Sequence, residues 1–176
     1  EETEGSSTDF AFDIGYMKKF KGGSKDYKIK KEKKINQVFQ DIAALYDQQR
    51  IVNEEILLIS KKEINIYQII ENQEDILDNL EQYKAKLSPY KSFNTYPSLI
   101  EKFNITISKV EKLLDDLDVL IFQGDFENLD EVVIEKIDNR TNDLLSQFMD
   151  IGLFQEGMVK DIETLATPDD IDKFNF

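Results

Sequence analysis

Few residues in this chain have the type and spacing to do covalent or metal chemistry. It has 176 residues and contains no His, no Cys and no Trp. Without Cys there is no disulfide framework, zinc finger, iron–sulfur cluster or thiol nucleophile. Without His there is no Ser-His-Asp triad, no imidazole-bound zinc or haem, and no Glu-x-x-His di-iron site. Lys21-Gly22-Gly23-Ser24-Lys25 is glycine-rich. It lacks the spacing of a phosphate-cradling loop and reads as a linker. Asp115, Asp116 and Asp118 are followed by Asp125, Glu127, Asp130 and Glu131, oxygen ligands of the kind calcium takes. A twelve-residue calcium loop needs Gly at its sixth position and Glu at its twelfth. Counted from Asp125, those positions are Asp130 and Lys136, so a solvated acidic helix face is the better reading. Carboxylate pairs for glycoside hydrolysis need a cleft with aromatic platforms, which a Trp-free helical chain does not readily offer. The expectation is therefore no catalytic residue, no metal site, no cofactor and no enzyme activity. The triplets Asn104-Ile105-Thr106 and Asn139-Arg140-Thr141 match a glycosylation acceptor, but fall within expected helices and are given no weight.

Binding chemistry is concentrated in one basic run. Lys18, Lys19, Lys21, Lys25, Lys28, Lys30, Lys31, Lys33 and Lys34 face only Asp26 and Glu32 within residues 17–34, while residues 124–176 carry fourteen acids against four bases. The net charge of −14 thus divides unevenly. These nine lysines are the candidate contact for an anionic surface. The competing structural reading places residues 25–34 beside residues 155–172 in a hairpin, where Glu156, Asp161, Glu163, Asp169, Asp170 and Asp172 neutralise them within the fold.

The elements that would carry these charges are helical. No Gly or Pro lies between Gly23 and Pro89, and their absence favours continuous helix. A 3-4 stripe runs through Ile35, Val38, Ile42, Leu45, Gln49, Val52, Ile56, Ile59, Glu63, Ile66, Ile70, Gln73, Leu77, Leu80, Lys84 and Leu87. It predicts a helix over about 29–88, spanning about 90 Å if unbroken, with weak points at 49–55 and 71–75. Residues 88–98, with Pro89 and Pro97, predict a loop. Ser98 and Glu101 form a capping box for a helix over 98–123, with a seam of Ile100, Phe103, Ile107, Val110, Leu114, Leu117 and Ile121. A last stripe from Phe126 through Val133, Ile137, Arg140, Leu144, Phe148 and Ile151 to Val159 and Ile162 predicts a helix over 126–166, with Gly152 and Gly157 off the seam. The motif Thr167-Pro168 starts a final turn. Off-seam Phe39, Tyr46, Tyr67, Ile69, Ile76 and Tyr83 favour three or more helices in cross-section. Polar seam residues fix register. In an antiparallel pairing Arg140 falls near Glu63 or Gln73, as a structural salt bridge.

The expected fold is all-α: an elongated antiparallel helical hairpin or three-helix bundle with coiled-coil-like packing over 27–176. Residues 1–26 form a polar and aromatic N-terminal segment, partly disordered. The expected role is a non-enzymatic extracytoplasmic interaction domain, the mature part of a bacterial surface protein or lipoprotein. It is suggested by the start at Glu1, the acidic Ser/Thr stretch and the lysines after it. Its partner would be a protein or cell-envelope component, with no nucleic acid, membrane contact only through an N-terminal anchor, and oligomerisation open. The alternatives are an intracellular helical adaptor subunit and an acidic nucleic-acid mimic.

Overall fold

The computed structural model describes residues 25–59, 65–123 and 131–164. Residues 1–24, with Lys18, Lys19 and Lys21, and the motif at Thr167 lie outside them. The described residues form α1 (Lys25–Ile56), α2 (Ile66–Lys86), a 3-10 turn (Ser88–Tyr90), α3 (Tyr96–Gln123), α4 (Glu131–Gly152) and α5 (Gln155–Glu163). The protein is an all-α bundle. Each of α1 to α4 packs on its neighbours in chain order and α4 returns to α1, closing a four-helix ring, while α5 lies on α1. The cross-helix contacts run antiparallel. Asn53 meets Thr141 and Asn36 meets Gln155, and Lys102 pairs with Asp150, Lys109 with Asp143 and Arg140 with Asp116. This is the up-down-up-down arrangement that short connections favour.

The expected 60-residue helix is therefore two helices. It breaks between Ile56 and Ile66, at neither of the two weak points, although no Gly or Pro marks the place. The new start is built by Asn65. Its extended backbone (φ −83°, ψ 115°) breaks the helix, and its side chain accepts a 2.9 Å hydrogen bond from the Tyr67 N–H, satisfying one orphan amide of the first turn. All eight seam residues from Ile35 to Ile59 are buried. Beyond the break the stripe rotates by one position. Ile66, Ile69, Gln73, Ile76, Leu80 and Leu87 are buried, while Ile70, Leu77 and Lys84 move to the flank.

The α2–α3 connection is also more regular than a loop. Leu87, Tyr90, Phe93 and Tyr96 each donate a backbone bond to the carbonyl three residues back. Three residues per turn is 3-10 geometry, so every third side chain faces the same way. Leu87, Tyr90 and Phe93 are buried and plug this end of the bundle. Tyr90 and Phe93 meet edge to face, with centroids 4.9 Å apart, and burial pushes the Tyr90 phenol well above its usual range. Helix α3 starts at Tyr96, ahead of the Ser98 box. Pro97, which has no N–H to leave unpaired, fits the first turn.

In α3 the fully buried line is Leu99, Phe103, Thr106, Val110, Leu113, Leu117 and Leu120. The predicted seam shares three of these and otherwise flanks the core. The expected helix 126–166 also divides. Leu153 and Phe154 bond to carbonyls three residues back, which ends α4 at Gly152 and starts α5. The stripe Leu144, Phe148, Ile151, Gln155, Met158, Ile162 nevertheless stays buried across the break. Gly152 is buried rather than off the seam. Gly157 lies against the α2–α3 connection, where an added Cβ would sit 2.9 Å from the Thr95 hydroxyl. The Thr95 N–H donates to Asp161 at 2.9 Å, so α5 is clamped to that connection.

Of the off-seam aromatics, Phe39 is fully buried and Tyr67 is 64% exposed. Phe39→Ala should destabilise the fold by about 3–5 kcal/mol in urea titrations, whereas Tyr67→Ala should change it by less than about 0.5 kcal/mol.

Candidate functional site

Four groups of residues are candidates for function: a buried amide layer, the basic run, a groove between α1 and α2, and the open end of the bundle. The amide layer joins the polar residues that interrupt the apolar stripes. Gln49 and Gln73 are fully buried and bond reciprocally, with Nε2–Oε1 distances of 2.8 and 2.7 Å. Gln49 also donates to Asn53, which donates to the Thr141 carbonyl at 3.0 Å. Each amide oxygen lost here would leave a buried donor unpaired, and the reverse holds for each lost donor. A second buried bridge, Gln155 Nε2 to Asn36 Oδ1 at 2.9 Å, ties α5 to α1. The layer is a register device, with its amides bonded to one another and to the Thr141 carbonyl. Its sequence signal was available: Gln49 and Gln73 are equidistant from residue 61, so one reversal near that point brings them level.

Arg140 is a salt bridge, as expected, but with a different partner. Its Nε lies 2.8 Å from Asp116 on α3, because α4 packs antiparallel to α3 along this face. Glu63 lies outside the described residues, and Gln73 is committed to Gln49. Thr106 and Thr141, the threonines of the two acceptor triplets, are fully buried and bond back to Lys102 and Asp138 carbonyls. Among the described residues no group of three or more carboxylates is placed to hold a metal ion. Asp115 and Asp118 point outward, while Asp125, Glu127 and Asp130 lie outside those residues.

Of the nine candidate lysines, Lys25, Lys28, Lys30, Lys31, Lys33 and Lys34 fall on the first turns of α1. Lys30 and Lys33 are exposed, and Lys28, Lys31 and Lys34 are half-buried. Helix α5 does pack on α1, as the internal reading requires. Two of its acids also have partners elsewhere: Glu156 pairs with Lys160 at 3.1 Å and Asp161 accepts from Thr95. Asp169, Asp170 and Asp172 lie outside the described residues.

A groove of about 480 Å³ runs between α1 and α2, floored by Val52 and Ile76 and edged by Gln48, Asn72, Asp75 and Asn79. The open end of the bundle is more distinctive. Leu57, Tyr67, Val119, Phe122 and Val132 are large apolar side chains left exposed, Phe122 by 89% and Val132 by 69%. All five lie where α1 and α3 end and α2 and α4 begin. The same helix ends carry the exposed acids Glu54, which pairs with Arg50 at 3.3 Å, Glu71, Asp118, Glu131 and Glu135, with exposed Lys136 among them. Single exposed apolar residues are ordinary, whereas several at one end of a bundle make the least ordinary surface among the described residues. The nine-lysine run drew attention to the opposite end. The pattern in sequence gave no warning of this cluster, since Val119 and Phe122 look like ordinary helical apolar residues.

No protein-family model, curated protein or solved structure matches this chain.

A double-mutant cycle tests the amide layer. Gln49→Leu and Gln73→Leu should each cost about 1–3 kcal/mol, and the double variant should cost less than their sum by at least about 0.5 kcal/mol. Asp47 tests the electrostatics. Burial raises its pKa, partly offset by Arg50, and its Oδ1 is buried without a hydrogen-bond partner. As pH rises, the unfolded chain releases this proton before the folded one does, so ionised Asp47 costs stability near neutrality. Asp47→Asn should therefore raise Tm at pH 7, with the gain shrinking as pH falls towards about 4 and absent below it.

Proposed function

We propose that this chain is a non-enzymatic, extracytoplasmic interaction domain from a bacterial surface protein or lipoprotein, and that it works through the open end of its bundle. The observation that carries this reading is the cluster of Leu57, Tyr67, Val119, Phe122 and Val132 inside an acidic rim. Elsewhere the exposed large apolar side chains, Ile51, Ile105 and Leu153, stand singly, while the core stripes are buried and their polar interruptions satisfied, as Gln49 is by Gln73. An apolar end on such a body loses water-exposed area only by docking to something else. The acidic rim gives that docking a preferred charge: the complementary surface is apolar at its centre and basic around it. Placement at the cell surface fits an elongated helical body led by a polar N-terminal stretch. No helix among the described residues is long and apolar enough to cross a membrane. Any hold on the envelope would come from the partner or from an anchor at the N-terminus.

A photoreactive side chain tests both parts. Benzoylphenylalanine replacing Phe122 in the native cells should give a discrete cross-linked adduct on irradiation, and the same group at exposed Glu111, partway along α3, should give none. The adduct should be destroyed by protease added to intact cells. Equal labelling from both positions, or an adduct protected until lysis, would contradict the reading.

A further inference from the structure

The face between α3 and α4 carries a ladder of opposite charges, and one rung of it is mismatched. Lys102 meets Asp150 and Lys109 meets Asp143, so seven residues along α3 match seven back along α4. Three more in each direction set Lys112 opposite Arg140, two cations on adjacent helices. Like charges at such a spacing repel. Arg140 leans a turn further, to Asp116, with its Nε 2.8 Å away. Lys112 is exposed and meets no partner among the described residues. Between them lies a cavity of about 140 Å³, lined by Lys109, Lys112, Arg140 and Asp143. Three bases against one acid is the reverse of the chain as a whole, which has 22 bases and 36 acids.

We propose that this cavity binds a tetrahedral oxyanion, phosphate or the phosphate of a monoester. The site is separate from the open end and stands without it. The Nε of Arg140 is committed to Asp116, which leaves both terminal nitrogens of the guanidinium without a partner among the described residues. They form a planar fork that fits two oxygens of one phosphate. The Lys112 ammonium supplies a third donor from the opposite wall, and Lys109, already paired with Asp143, has further N–H groups to give. The cavity has the volume of roughly four or five waters, the bulk of one such ion. The backbone beneath is fixed. Leu113, next to Lys112, and Thr141, next to Arg140, are fully buried, and Asn53 holds the Thr141 carbonyl at 3.0 Å. Binding therefore orders side chains only. A dianion also removes the repulsion between Lys112 and Arg140, which a neutral ligand does not. The net charge of −14 opposes anions from afar, but at about 0.15 M ionic strength that field is screened beyond ~8 Å.

Inorganic phosphate and methyl phosphate, titrated into the full chain at about pH 8 where both are dianions, test the proposal. Ionic strength is held at about 0.15 M by exchange against NaCl, which keeps screening constant. In ¹H–¹⁵N spectra the amides around Lys112 and Arg140 should shift and saturate, and those around Gln40 on α1 should not move. Lys112→Gln, at an exposed position, should keep the folded spectrum and weaken binding about tenfold, the loss of one hydrogen bond to a charged group. Asp143→Asn removes the one carboxylate in the cavity and should tighten binding at least about threefold. Asp78→Asn, the same charge change at an exposed site on α2, should leave it unchanged. Equal affinity for the two probes assigns the site to an esterified phosphate on a larger molecule, and a preference of about tenfold or more for inorganic phosphate assigns it to the free ion. Shifts that fail to saturate by about 50 mM, weaker than any specific contact of this kind, would overturn the proposal. So would unchanged affinity in Lys112→Gln. Equal tightening by Asp143→Asn and Asp78→Asn would overturn it too, since overall charge rather than this cavity would then be responsible.

Discussion

Two side-chain amides, Gln49 and Gln73, hold the register on which the rest of this bundle depends. Both are fully buried and each satisfies the other. A buried amide without a partner costs about as much as a lost hydrogen bond with its full desolvation. Sliding α2 along α1 by one turn would strand both, and sliding α4 would strand Asn53 and the Thr141 carbonyl it serves. The apolar stripes supply most of the driving force for packing, but they are tolerant of such a slide, because Ile, Val and Leu recur every three or four residues. The polar layer is not tolerant. It fixes α2 against α1 and, through Asn53, α4 against α1. With α3 held between α2 and α4 by two short connections, the ring is determined.

Much of this was legible in the sequence. The stripe from Ile35 to Ile59 is buried to the last residue. Helix α3 lies within two residues of its expected bounds. The spare apolar residues Phe39, Tyr46, Ile69 and Ile76 do pack into a core of more than two helices. What failed was the location of the breaks. Absence of Gly and Pro favours continuity, yet α1 stops at Ile56 and Asn65 starts a new helix by offering its side-chain oxygen to the Tyr67 N–H, a competition with the backbone that short polar side chains enter readily. Gln49 and Gln73, expected both to weaken one helix and to fix register, are the mated surfaces of two helices. Periodicity alone could not distinguish these, since a stripe continues through a reversal as easily as along a rod. The same property hid the break at Leu153, where the buried spacing runs from Ile151 to Gln155 without interruption.

The exposed apolar end was less legible than the fold. The lysines of α1 are visible as a charge run, but their place beside α5 follows from packing. The open apolar end was not visible at all, because it is assembled from four helix termini far apart in sequence. Exposure of Phe122 becomes apparent only once α3 is seen to outrun the core line that ends near Leu120. The net charge of −14 likewise conceals a local run, with Lys28, Lys30, Lys31, Lys33 and Lys34 on the first turns of α1.

Every element of this picture requires the chain to reverse between Ile59 and Asn65. The chain has no Cys, so a pair of spin labels can be introduced cleanly at Gln40 and Glu81, both exposed. Electron–electron dipolar spectroscopy then reads their separation directly. Adjacent antiparallel helices, with axes about 8–10 Å apart, predict a distance below roughly 25 Å once the label arms are included. A continuous helix would hold the labels roughly 60 Å apart, and that result would contradict the fold and everything inferred from it.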